Sequence, residues 1–113
     1  MPAILFVRIE SALDSEELLV RARERLPQFR KVPGLVQKIY GKDPVTGDVC
    51  GIYFFDTRQA LAEFRDSDLA KTIPDAYEAS EVRRETFDVL FPLHPGQGPL
   101  RQEHLQPSEN GSS

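Results

Sequence analysis

Cysteine occurs once in this chain of 113 residues, as Cys50, and histidine twice, as His94 and His104. A single cysteine excludes an intrachain disulfide framework and fits a reducing compartment. Its place inside an apolar run reads as a buried, inert thiol. With both histidines toward the C-terminal end, no His/Cys cluster has metal-ligand spacing and no Ser-His-Asp triad has a well-placed base. The seven glycines form neither a phosphate-cradling pattern nor a Gly-x-Ser-x-Gly elbow. Basic residues are outnumbered 14 to 18, for a formal net charge of −4. That balance argues against a nucleic-acid partner, whose binding draws on a basic face. Arg21, Arg23, Arg25 and Arg30 do cluster, but Glu16, Glu17 and Glu24 are interleaved with them, as on a solvated helix face. No apolar run approaches a membrane span, and the start lacks the basic residues and longer apolar stretch of a signal peptide. The chain is expected to stay in the cytoplasm.

What the sequence does have is apolar strands. Cys50 to Phe55 reads Cys-Gly-Ile-Tyr-Phe-Phe, and Ala3 to Val7 reads Ala-Ile-Leu-Phe-Val. Neither alternates, so both faces of each strand require cover. Two helices in a single domain of this length cover one face of a sheet; the other calls for a second copy of the chain. A homodimer joined through the strands is therefore expected.

The order of elements supports this. A strand over 3–9 precedes a helix that Asp14 and Glu17 open as a capping box, with Leu13 and Leu18 at the staple positions. The helix buries Leu18, Ala22, Leu26 and Phe29 at helical spacing, and Pro27 kinks or restarts it. Pro33-Gly34 turns the chain into a strand over 35–42. Asp43 to Asp48 forms a hairpin connection to a strand over 49–55. A second helix begins at Asp56 or Thr57, with Gln59 completing a box on Asp56. A short turn over 69–73 is stopped by Pro74, and a last strand covers 81–91. The pattern βαββαβ is that of an α+β ferredoxin-like sandwich, with strands one and three central and two and four at the edges. Polar residues fall on the edge strands (Gln37, Lys38, Arg83, Arg84, Glu85), as edges require. Residues 1–93 make one protomer. From 94 to 113 the composition shifts to Pro, Gly, Ser and Gln, a disordered or loosely docked tail in which only Leu100 and Leu105 offer anchors.

The remaining chemistry lies in polar groups set within apolar strands. Lys38 and Tyr40 share one side of strand two, Tyr53 is central in strand three, and Arg84 shares a side of strand four with Thr86 and Asp88. Tyr77 sits in the loop before strand four. Convergent polar groups in an apolar cavity form a small-molecule site. Each also has a plainer reading: Tyr53 as a core tyrosine, Lys38 and Arg84 as edge-strand or interface charges, Tyr40 and Tyr77 as packing. A one-residue slip of register would exchange Lys38 and Tyr40 for Gln37 and Ile39.

Pro33-Gly34-Leu35, Gly51 to Phe55, Ala60-Leu61-Ala62 and Phe87-Asp88-Val89 followed by Pro92-Leu93 resemble the YdhR-type mono-oxygenases, over about residues 3 to 93. These belong to the dimeric α+β barrel group, with the antibiotic-biosynthesis monooxygenases. The resemblance implies two ferredoxin-like protomers with sheets face to face and a pocket between each sheet and its own helices. It implies oxidation of an electron-rich aromatic substrate by molecular oxygen, with no metal, flavin or other cofactor. An apolar pocket binds a phenolic or anthrone-like compound and removes a proton, and the carbanion reacts with oxygen. Tyr53 and Lys38 match the pattern as catalytic candidates, with Arg84 as an anion stabiliser; Tyr40, Tyr77 and Phe87 stand as substrate contacts. The haem-degrading branch of the group uses Asn, Trp and His in its pocket. Here tryptophan is absent and the sole asparagine is Asn110, which sets that branch aside. The competing functions are a non-catalytic small-molecule-binding or stress-response dimer of the same fold, and oxygen-independent isomerase or lyase chemistry in the same pocket.

Overall fold

The computed structural model describes residues 1–100. Its elements are β1 (Ala3–Ser11), α1 (Ser15–Glu24), α2 (Leu26–Arg30), β2 (Leu35–Lys42), β3 (Val49–Phe55), α3 (Arg58–Arg65), α4 (Asp68–Lys71), α5 (Ile73–Ala76) and β4 (Ala79–Asp88). The strands pair antiparallel in the order β2-β3-β1-β4, with the two apolar strands central. This is the ferredoxin-like α+β arrangement.

Register decides what each face carries. Leu5 lies opposite Tyr53 and Thr86, and Tyr53 opposite Lys38. Period two then puts Ala3, Leu5, Val7, Ile9, Tyr53 and Phe55 on the face beneath the helices, where all are buried. They meet Leu18 and Ala22 of α1, Phe29 of α2, Leu61 and Phe64 of α3, and Ile73 and Tyr77 around α5 in one core. The opposite face carries Ile4, Phe6, Ile52 and Phe54, flanked by Ile39 of β2 and Phe87 of β4. No element of the described chain covers that face. Cys50 is on it, opposite Arg8, and is partly exposed rather than buried, because the helices lie on the other side.

Local chemistry sets the helix ends. The Asp14 carboxylate accepts from the Glu17 N–H at 2.8 Å, as the sequence predicts. The return half of the box is not made, since Glu17 pairs with Arg21 one turn on, at 3.0 Å. The cap of α3 is Thr57, which accepts from the Ala60 N–H, and not Asp56. The Asp56 N–H donates to the Gly34 carbonyl, and Gln59 donates to Glu63 instead of closing a box. Pro27 restarts the chain as α2. Pro74 opens α5 and does not end the preceding turn, since a first-turn residue needs no N–H donor. β4 ends at Asp88, short of Phe91: Pro2 accepts from the Val89 N–H at 3.0 Å but has no N–H to return. The expected tail lies mostly outside the described residues; at its start Leu100 is buried.

Candidate functional site

A cavity of about 350 Å³ opens between α1 and the helix-facing side of the sheet. Val7, Ile9, Val49, Gly51, Tyr53, Lys38 and Tyr40 form its floor, Leu18, Leu19 and Ala22 its roof, and Ile73 and Tyr77 close one end. The exposed Glu16 and Lys42 stand at its polar rim. Two features of the chain shape it. At Gly51 a Cβ would lie 3.0 Å from the Tyr53 ring and 3.1 Å from Cε of Lys38, so glycine is what lets the lysine stem lie along the tyrosine. At the other end Glu78 adopts φ +47°, a left-handed turn held by the Arg21–Glu78 ion pair at 3.1 Å. The preceding Tyr77 is fixed through its carbonyl, which accepts from Ser11 Oγ at 2.8 Å.

Lys38 is the chemical centre of this cavity. Its Nζ lies 3.5 Å from the ring centroid of Phe29, 4.4 Å from Tyr40 and 4.5 Å from Tyr53. Three aromatic faces attract an ammonium through their quadrupoles. Among the described residues, however, no carboxylate pairs with it. Burial, helped by the nearby Arg25 charge, lowers its pKa to about 7. The tyrosines move the opposite way. Burial pushes Tyr40 up to about 12, and it raises Tyr53 and Tyr77 above the usual phenol range. The cavity thus holds an amine that is half neutral near pH 7 beside phenols that stay protonated. Tyr53 is fixed by packing, with ring centroids of Phe64, Phe29 and Phe55 at 5.2, 6.1 and 6.2 Å. Arg25 reaches across from the end of α1, donating to Thr72 Oγ1 at 3.0 Å, while its buried Nε has no partner among the described residues.

Four of the six expected site residues therefore converge: Lys38, Tyr40, Tyr53 and Tyr77. The other two do not line the cavity. Arg84 is on the helix-facing side, opposite Val7, but β4 is the far edge of the sheet, and the side chain is exposed. Its charge still opposes slightly the upward push of burial on Tyr53. Phe87 lies opposite Ile4 on the uncovered face, so as a substrate contact it is on the wrong side of the sheet. Two participants were not singled out as site residues. Phe29 reads as core because it continues the apolar stripe of α1. Gly51 left a signal, since glycine inside an apolar strand marks a close approach. Among the described residues no group of three or more His, Cys, Asp or Glu side chains is placed to hold a metal ion, and no helix is long and apolar enough to cross a membrane.

Comparison with solved structures shows the same fold. The chain superposes on Rv0793 from Mycobacterium tuberculosis with TM-score 0.66 and 15% identity, over 83% of this chain and 100% of that one. It superposes on SnoaB, a cofactor-independent oxygenase from Streptomyces nogalater, with TM-score 0.67 and 13% identity, over 81% and 96%. For a protein from Deinococcus radiodurans described as a "putative antibiotic biosynthesis monooxygenase" the values are 0.64 and 11%, over 83% and 97%. A search of curated proteins found no match. Residues 4–95 match the family described as "Putative mono-oxygenase ydhR", and the chain belongs to that family.

Proposed function

We propose that this protein is a cofactor-independent monooxygenase for a small electron-rich aromatic compound, with Lys38 as the base. The observation that carries this reading is the Lys38 amine, 3.5 to 4.5 Å from three ring centroids in an apolar cavity. A phenolic or anthrone-like substrate lies against Tyr40 and Tyr53 and presents its acidic C–H or O–H to the neutral amine. The proton passes to Nζ, and the ammonium so formed lies beside the substrate anion, in a low dielectric where that pairing is strong. The anion gives an electron to molecular oxygen, recombination at carbon forms a peroxide anion that takes the proton back from Nζ, and the resulting hydroperoxide loses water to leave a carbonyl. Tyr53, kept protonated, donates a hydrogen bond to the substrate oxygen. Because both groups stay in these states near neutral pH, the base and the donor work together there.

The cavity belongs to one protomer, but the uncovered sheet face calls for a homodimer. Ile4, Phe6, Ile39, Ile52, Phe54 and Phe87 form an apolar face, the kind of surface that marks an interaction site. The reading is completed by a protomer over 1–93, a separate tail and a cytoplasmic setting. The direct test is oxygen uptake with an anthrone, less its spontaneous oxidation, in the presence of a chelator and without added flavin. Uptake should rise with pH around a midpoint near 7 as Lys38 loses its proton. Lys38→Met should lower it at least 100-fold, and Tyr53→Phe about tenfold. Undiminished uptake in Lys38→Met would remove the base; saturable binding without uptake would favour the non-catalytic binding dimer.

A further inference from the structure

We infer that Lys38 is also a carbonyl-reactive amine, forming a Schiff base with small aldehydes or ketones that enter the cavity. This is a second activity of the pocket, independent of oxygen, and it shares with the oxygenase reading the Lys38 amine alone. The argument rests on what surrounds Nζ. A lysine that serves as a structural cation is paired with a carboxylate, which holds its proton and blocks its lone pair. Among the described residues Lys38 has no such partner. Its neighbours are the faces of Phe29, Tyr40 and Tyr53, and the stem lies against Tyr53 and Gly51 at the floor of a cavity of about 350 Å³. A neutral amine in an apolar, accessible pocket is the nucleophilic form of lysine.

The same rings suit the product. Nζ attacks the carbonyl carbon, the C=O bond opens to a carbinolamine, and the carbinolamine loses water. The balance is one carbonyl compound plus one amine giving one imine plus one water, with no oxidant or reductant consumed. Protonation of the imine gives an iminium nitrogen at the position the ammonium held, facing the same three aromatic quadrupoles. An aromatic or alkyl aldehyde fits the lining, whereas a charged or polyhydroxylated one leaves polar groups unpaired.

The chain supplies its own controls. Lys31, Lys42 and Lys71 are exposed, and the Met1 amine is a fourth exposed competitor. The full chain is incubated without oxygen at pH 7 with limiting benzaldehyde and cyanoborohydride, which reduces any imine to a stable secondary amine. Peptide mass spectrometry then locates the benzyl groups. Expected is labelling of Lys38 at least tenfold faster than of Lys31, Lys42 or Lys71, since burial lowers the pKa of Lys38 to about 7 and the aromatic lining gathers the aldehyde beside it. A bulky aromatic filling the cavity should suppress the Lys38 label alone. Labelling of Lys38 no faster than the exposed lysines, or label confined to the Met1 amine, would overturn the proposal. Because no oxygen is present, a positive result stands even if anthrone oxidation fails; a negative one removes the nucleophile, and the uptake assay decides separately whether Lys38 acts as a base.

Discussion

Burial of the Lys38 amine opposes folding at neutral pH. Its pKa is lowered to about 7 from an ordinary 10.5, so the folded protein binds fewer protons than the unfolded chain between these values. Where the unfolded state holds the extra proton, stability rises with pH. The destabilisation is therefore full below pH 7, relieved between about 7 and 10.5, and on the order of a few kcal/mol. Tyr40, Tyr53 and Tyr77 act in the other direction. With their pKa values raised, the fold keeps protons that the unfolded chain releases above about 10, so stability falls there. The melting temperature should climb from pH 7 toward 9 and fall beyond 10. Lys38→Met should raise it at pH 7 by several degrees and flatten the climb, as expected when a strained functional group is replaced by a packing one. Denaturant melts of both proteins at pH 6.5, 8 and 9.5 check this; equal slopes would show that the amine is solvated. Much of this site was legible in the sequence, because alternation along β2 and β3 puts Lys38, Tyr40 and Tyr53 on one face. The same alternation, followed along β4, puts Phe87 opposite to Arg84. Phe29 was not legible as part of the site, since only the packing of α2 over β2 brings its ring under the lysine.

At the scale of elements, the entry to β2 depends on Gly34. It adopts φ +76°, and a Cβ there would lie 2.6 Å from that of Ala60 and 2.7 Å from Asp56 Oδ1. Its carbonyl accepts the Asp56 N–H at 2.9 Å, joining the loop before β2 to the start of α3. Gly34→Ala should therefore cost about 1–3 kcal/mol from backbone strain alone, more if the loop cannot move. Thermal unfolding should come about 5 °C or more lower, while Gly47→Ala, with open space at its Cβ position, should show only the strain of its own φ. Equal losses for both would mean that the contact with Ala60 is relieved without cost. Strand order, the cap at Asp14 and the turn at Pro33-Gly34 follow from sequence chemistry. The short helices do not. Pro74 reads as a stop, yet it fits the first turn of α5, so the break became a start. Which side of a breaker residue is helical depends on tertiary contacts, here Arg25 and Arg21 reaching the carbonyls of Leu69 and Ala76.

The whole molecule has one face in excess. Arg8 is polar near its end, where it pairs with Asp43 and Asp48 and fastens the β2–β3 hairpin to β1; toward β1's start the face runs apolar from Ile39 across Ile52 to Phe6 and from Phe54 across Ile4 to Phe87, with Glu85 beside Phe6 and Gln37 beside Phe54 as its polar edges. Leu90, Phe91 and Leu93, at 82, 76 and 82% exposure, continue the apolar surface beyond β4. A second copy sitting on this face would bury it against its own equivalent, the self-complementary contact that two-fold symmetry gives. Light scattering should then give about twice the 12.8 kDa chain mass. Ile52→Glu puts an unpaired charge at the centre of that contact and should yield a folded species at the single-chain mass. Ile52 points away from the cavity, so this variant also separates assembly from chemistry. Lys38 trapping retained in the monomer would place the whole amine site within one protomer; trapping lost with the helices still folded would mean that the partner's sheet holds β2 and β3 in register. A wild-type monomer would leave the apolar face without an occupant and end the dimer reading.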